Sequence, residues 1–160
     1  MIKTSLASLA VAALLSAGSV QAQTCTPSAG AIGTGTVSID TCNSTNQLLS
    51  VCNGLDSIGA SPDTVYSLVV GPGMVGSISA APTGYDLKLA LLSGSCSAAS
   101  TCIRDADAGG VGGAESFGLD GLALGTYYVF LTSFGGTPNC GPTSISAIIV
   151  PVTLQQFSVD

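Results

Sequence analysis

Histidine and tryptophan are missing from the 160 residues, and only three residues are lysine or arginine. Without histidine, the Ser-His-Asp and Cys-His nucleophilic devices lose their general base. The same gap removes a common zinc ligand, and no CxxC pair occurs, so a zinc site is not expected. Beyond residue 22 only Lys88 and Arg104 are basic, against nine acids. Two cations cannot neutralise a row of phosphates, which argues against nucleic acid as a partner and against attraction to an anionic membrane surface. No Walker or dinucleotide glycine fingerprint is present. The Gly-rich "GTGTVSI" runs into strand-like sequence, where a phosphate cradle needs a helix N-terminus. No apolar run reaches the roughly 20 residues needed to span a bilayer.

What is present begins with a leader. Lys3 is the only charge in the first 39 residues. The apolar run "SLASLAVAALLSAG" follows it, and then "SVQA". Val20 and Ala22 stand at the −3 and −1 positions of a cleavage site after Ala22. Residues 1–22 therefore read as a cleaved signal peptide. Residues 23–160 read as one secreted domain, extracellular or periplasmic, large enough to bury a core. Cys25 follows "QAQT", which is not a lipidation context.

All six cysteines (Cys25, Cys42, Cys52, Cys96, Cys102 and Cys140) lie beyond the cleavage point. An even count in an exported chain predicts a disulfide framework, with 15 pairings open. Proximity in sequence suggests Cys42–Cys52 and Cys96–Cys102, leaving Cys25–Cys140 to tie the ends of the domain.

Beyond the leader the dominant period is two. Strand-like runs occupy 35–39, 63–70, 73–80, 85–92, 100–105, 115–119, 125–134 and 143–154, each bounded by Gly, Pro, Asn or Asp. Leu87, Leu89 and Leu91 share one face of their run and are predicted core. Tyr127, Val129 and Leu131 share a face of theirs, which sets Tyr128 and Phe130 on the other. That second pair is a contact surface if the face is open, and partly buried if a loop covers it. Pro151 interrupts the last run, as at an edge or bend. The fold class is all-β, an antiparallel jelly-roll-like β-sandwich of about eight strands.

The densest acidic stretch is "CIRDADAGGVGGAESF", residues 102–117. Calcium takes six to eight oxygen ligands, and Asp105, Asp107 and Glu115 are the residues that could supply some of them. The stretch starts like an EF-hand loop, with Asp105 and Asp107 at the first and third positions and Gly110 at the sixth. It then departs: Ser116 stands at the twelfth position, Glu115 comes one place early, and no helices flank it. A calcium site here would need help from Asp63, Asp86 or Asp120. The competing account is a solvated hairpin, in which glycines supply positive φ and aspartates cap turns. The sequence favours the hairpin, with no cofactor and calcium as the alternative.

The order of these pieces resembles the bacterial pre-peptidase C-terminal domain. Asp63 and Tyr66 match its Asp-x-x-Tyr strand, and Asp86, Leu87 and Leu89 its Asp-Leu-x-Leu strand. Asp105 and Asp107 match its acidic Gly-rich loop, and Gly125, Thr126, Tyr127 and Tyr128 its Gly-Thr-Tyr-Tyr strand. The resemblance covers about residues 36–150. It implies a secreted sandwich of the kind appended to exported hydrolases, some of which bind calcium or extracellular polymers such as collagen. No protease segment accompanies it here, so service to a protease in the same chain is not expected. The expectation is a non-catalytic module for an extracellular polymer or protein, with a self-assembling cell-surface protein as the alternative.

Overall fold

The computed structural model describes residues 23–52, 56–133 and 139–151. The expected leader and the C-terminal tail lie outside the described residues. The strands, in chain order, are β1 (Gly35–Asp40), β2 (Ser50–Val51), β3 (Asp56–Ser57), β4 (Thr64–Val70), β5 (Val75–Pro82), β6 (Leu87–Ser93), β7 (Thr101–Ala106), β8 (Glu115–Gly118), β9 (Gly125–Ser133) and β10 (Pro142–Val150). All eight longer strands fall on predicted runs, and β2 and β3 form a short unpredicted pair. A single 3₁₀ turn, Thr41–Asn43, follows β1, and Asp40 caps it by accepting from the Cys42 amide at 3.0 Å.

Two four-stranded antiparallel sheets result, ordered β4-β9-β6-β7 and β1-β10-β5-β8. Their inner faces supply the main core. Tyr66, Leu68, Val70, Leu87, Leu89, Leu91, Val129 and Leu131 come from the first sheet; Ile78, Ala80, Phe117, Ile145 and Ala147 come from the second. Each fully buried leucine stabilises by roughly 1.5–3 kcal/mol, so the predicted trio of β6 is a large share of this layer. The sheets leave little slack. A Cβ on Gly76 would run into the Ile148 carbonyl of the neighbouring strand, so β5 and β10 can pair there only through glycine.

A second core lies outside the first sheet. Val65 of β4, Ala90 and Leu92 of β6 and Phe130 of β9 pack beneath Cys25, Leu48, Val51, Cys52 and Ile58. The stretches around Cys25, residues 48–52 and Ile58, which flank β1 in the chain, thus form a cover over this sheet, and β6 is buried on both faces as a result. The cover is fastened by Cys25–Cys96 and Cys52–Cys102, while Cys42–Cys140 joins the 3₁₀ turn to the start of β10. This corrects the pairing expected from proximity, since every bridge joins cysteines at least 50 residues apart in the chain. A register shift between Leu91 and Leu92 explains one of them. The extra residue in β7 pairs Cys102 with Leu92 and so brings it to the outer face, where Cys52 lies.

Candidate functional site

The acidic loop closes around a lysine. Lys88, in the middle of β6, is buried, and its Nζ lies 2.8 Å from Asp105 Oδ1 and 3.9 Å from Asp107 Oδ2. Asp86 stands two residues earlier, just before β6, bridged to Val111 at the loop tip. Glu115, buried at the start of β8, accepts from the Gly109 amide. The glycines have a steric cause: a Cβ on Gly113 would strike the Gly109 backbone where the loop folds back on itself. The Gly112 amide then donates to the Tyr85 carbonyl at 2.9 Å.

Burial raises the pKa of Asp107. The Lys88 ammonium pulls it back, while Asp86, Glu115 and Asp105 push it up further. Lys88 is therefore the counter-ion of these carboxylates, held where an added cation would have to enter. Asp105, Asp107 and Glu115 do lie around one place, and Asp86 joins them. Asp120 is elsewhere, accepting from the Gly76 amide at 3.1 Å. Among the described residues no group of three or more acidic or cysteine side chains is arranged to hold a metal ion.

A buried polar row runs from this cluster across the first sheet. Thr132 of β9 stands opposite Lys88, and extending the β4–β9 register by one residue sets Asp63 opposite Thr132. Asp63 is wholly buried, and its Oδ2 accepts from the Gln47 and Leu48 amides at 2.7 and 2.8 Å. Burial raises its pKa, and the two amides and the Thr132 hydroxyl temper the rise. The role of Asp63 is mechanical: it pins the cover onto the sheet. The Asp-x-x-Tyr motif marked the residue, but nothing in the sequence said what it holds.

The Tyr128–Phe130 contact surface also needs correcting. Phe130 is fully buried under the cover and Tyr128 is half-buried against it. An apolar face of this size is stabilised by being covered, and the stretches around Cys25, residues 48–52 and Ile58 supply the lid.

The outer face of the second sheet has no such cover. Thr36 and Ser38 of β1, Ser144 and Ser146 of β10, Ser77 and Ser79 of β5 and Ser116 of β8 all lie on it and are exposed or half-buried. Thr36, Ser146, Ser79 and Ser116 are cross-strand partners in turn, making one hydroxyl row over all four strands. Thr36 Oγ1 and Ser146 Oγ are 2.7 Å apart. Ile148, 60 % exposed, Val75 and Val150 continue the face as an aliphatic strip. Asp40 marks one rim, where it also borders a polar groove of about 390 Å³ together with Ser28, Asn43 and Thr64. Asp120 marks the other rim, beyond β8. Between those rims the described face carries no ionisable side chain.

Two antiparallel sheets packed face to face define an all-β sandwich. Among solved structures, the pre-peptidase C-terminal domain of a collagenase from Bacillus anthracis is similar in fold. The match covers 74% of this chain and 90% of that one, at 14% identity and a TM-score of 0.44. No family model and no curated protein matches the chain.

Proposed function

We propose that this chain is an exported, non-catalytic β-sandwich module that binds an extracellular polymer or protein. The observation that carries this is the contrast between its outer faces: one sheet has its apolar centre buried under a disulfide-fastened cover, and the other presents an open array of hydroxyls. Three bridged cysteine pairs suit an oxidising compartment. The carboxylates of a kind that serve as acid and base are committed instead, Asp105 and Asp107 to Lys88, Glu115 to Gly109, and Asp63 to the cover. Co-sedimentation of the exported protein with insoluble collagen, cell wall and polysaccharide tests the proposal. Retention on at least one is expected, and recovery in every supernatant overturns it. Size-exclusion chromatography reads the self-assembly alternative, for which a monomer at all concentrations is the adverse result.

A further inference from the structure

We infer that the outer face of the β1-β10-β5-β8 sheet is the binding site, and that its ligand is a neutral, β-1,4-linked polysaccharide lying across the strands. The inference rests on the binding-module proposal and gives it a place and a ligand class. Three properties of the face select the ligand. The first is charge. Acids outnumber bases nine to three in the chain, yet the described face between Asp40 and Asp120 carries neither. An anionic polymer would meet only the net negative charge, and a cationic one would find no carboxylate to pair with. The second is composition. Protein partners are usually gripped by aromatic and arginine anchors, and the described face has none. A polyhydroxyl chain instead needs groups that both donate and accept, which Ser and Thr do.

The third property is spacing. Neighbouring strands lie about 4.7–4.9 Å apart, so Thr36, Ser146, Ser79 and Ser116 repeat at that interval along one line. One sugar residue of an extended β-1,4-linked chain has nearly the same length. A chain laid along the row meets a hydroxyl at each successive ring. Ser38 with Ser144 on one side and Ser77 on the other stand two residues away along the strands, about 6.5–7 Å, within reach of the hydroxyls that flank each ring. Ile148, Val75 and Val150 offer an aliphatic patch to the C–H face of a sugar ring beside the row.

The test is co-sedimentation of the exported protein with microcrystalline cellulose and with chitin, beside collagen and cell-wall sacculi. The wild type is compared with the double variant Ser79→Glu, Ser146→Glu. Both side chains point outward, but the two carboxylates face each other across β5 and β10, so a small fall in melting temperature is expected. Retention on cellulose or chitin should fall at least about tenfold, because a carboxylate desolvated against sugar hydroxyls leaves polar groups unpaired. If the double Glu variant melts early, Ser79→Ala with Ser146→Ala replaces it, with a smaller loss expected. Retention on cellulose or chitin that neither variant weakens overturns the assignment of the face. Retention confined to collagen or sacculi overturns the ligand class but leaves the binding-module proposal standing. Recovery in every supernatant overturns both, and a dimer that the Glu variant dissociates assigns the face to a second copy of the chain instead.

Discussion

The outer faces of the two sheets have the same geometry and opposite fates. On the β4-β9-β6-β7 sheet the apolar outward positions include Val65, Phe130, Ala90 and Leu92, and Cys25, Leu48, Val51, Cys52 and Ile58, from stretches on either side of β1 in the chain, lie over them. On the β1-β10-β5-β8 sheet the equivalent positions are mostly Ser and Thr, and nothing described lies over them. A strand's alternation says only that there are two faces. Which residues occupy the second face decides whether it is wet or roofed. Hydroxyl side chains are content in water, whereas Phe130, flanked by Val65 and Ala90 and near Leu92, is stabilised by a segment drawn over it.

The sharpest way to break this comparison is to truncate one residue on each face to alanine. Phe130→Ala should cost about 3–5 kcal/mol, whereas Ser79→Ala should stay within about 0.5 kcal/mol, both read from denaturant or thermal unfolding. Similar costs would mean that the cover does not pack as described. Replacing Cys52 and Cys102 together by serine should cost about 2–5 kcal/mol. Amide exchange should then rise first between Leu48 and Ile58, while β10 stays protected; uniform loss of protection would show a single cooperative layer instead.

Asp63 sharpens the comparison further. Asp63→Ala orphans the Gln47 and Leu48 amides and should cost about 2–4 kcal/mol. Asp63→Asn keeps an acceptor and should cost less. Because burial holds the folded pKa of Asp63 above its ordinary 3.8, protonation favours the fold. The contribution of this group is greatest below that ordinary value and is lost as pH rises through the folded pKa. Relative to Asp63→Asn, the wild type should therefore gain melting temperature as pH falls from 7 towards 4; a relative loss would reverse the assignment. The smallest effect concerns calcium. With Lys88 already among the carboxylates, melting should be the same in calcium and in chelator. A rise in calcium would show a cation displacing or joining the ammonium.

The strands were legible because period two survives any packing arrangement. Even the roof over the first sheet left a trace. In "LKLALL" both phases are largely apolar, as expected of a strand buried on both faces, and Lys88 is the exception that the acidic loop explains. The cover itself was not legible, because the stretches that pack on this face have almost no periodic pattern and β2 and β3 are two residues each. For the same reason the sequence leaves open whether Tyr128 and Phe130 form a surface: the lid over them is irregular chain. The bulge beside Leu92 moves Cys102 to the outer face without any sequence mark, so proximity pointed to the wrong partners. The acidic residues were seen, but their organiser was not, since a lone lysine in an apolar strand gives no hint of which carboxylates will come to it.

The bridges span separations of 50, 71 and 98 residues, while Cys42 and Cys52, and Cys96 and Cys102, are close neighbours in the chain. In an unfolded polypeptide short loops close more readily than long ones, so an oxidant acting on the newly made chain would first join the wrong thiols. Correct bonding demands either that the sheets assemble before oxidation or that mispaired sulfurs are exchanged afterwards. The yield of native protein is thus tied to the thiol chemistry of the compartment that receives it, and a host lacking disulfide-shuffling enzymes should accumulate soluble, scrambled isomers.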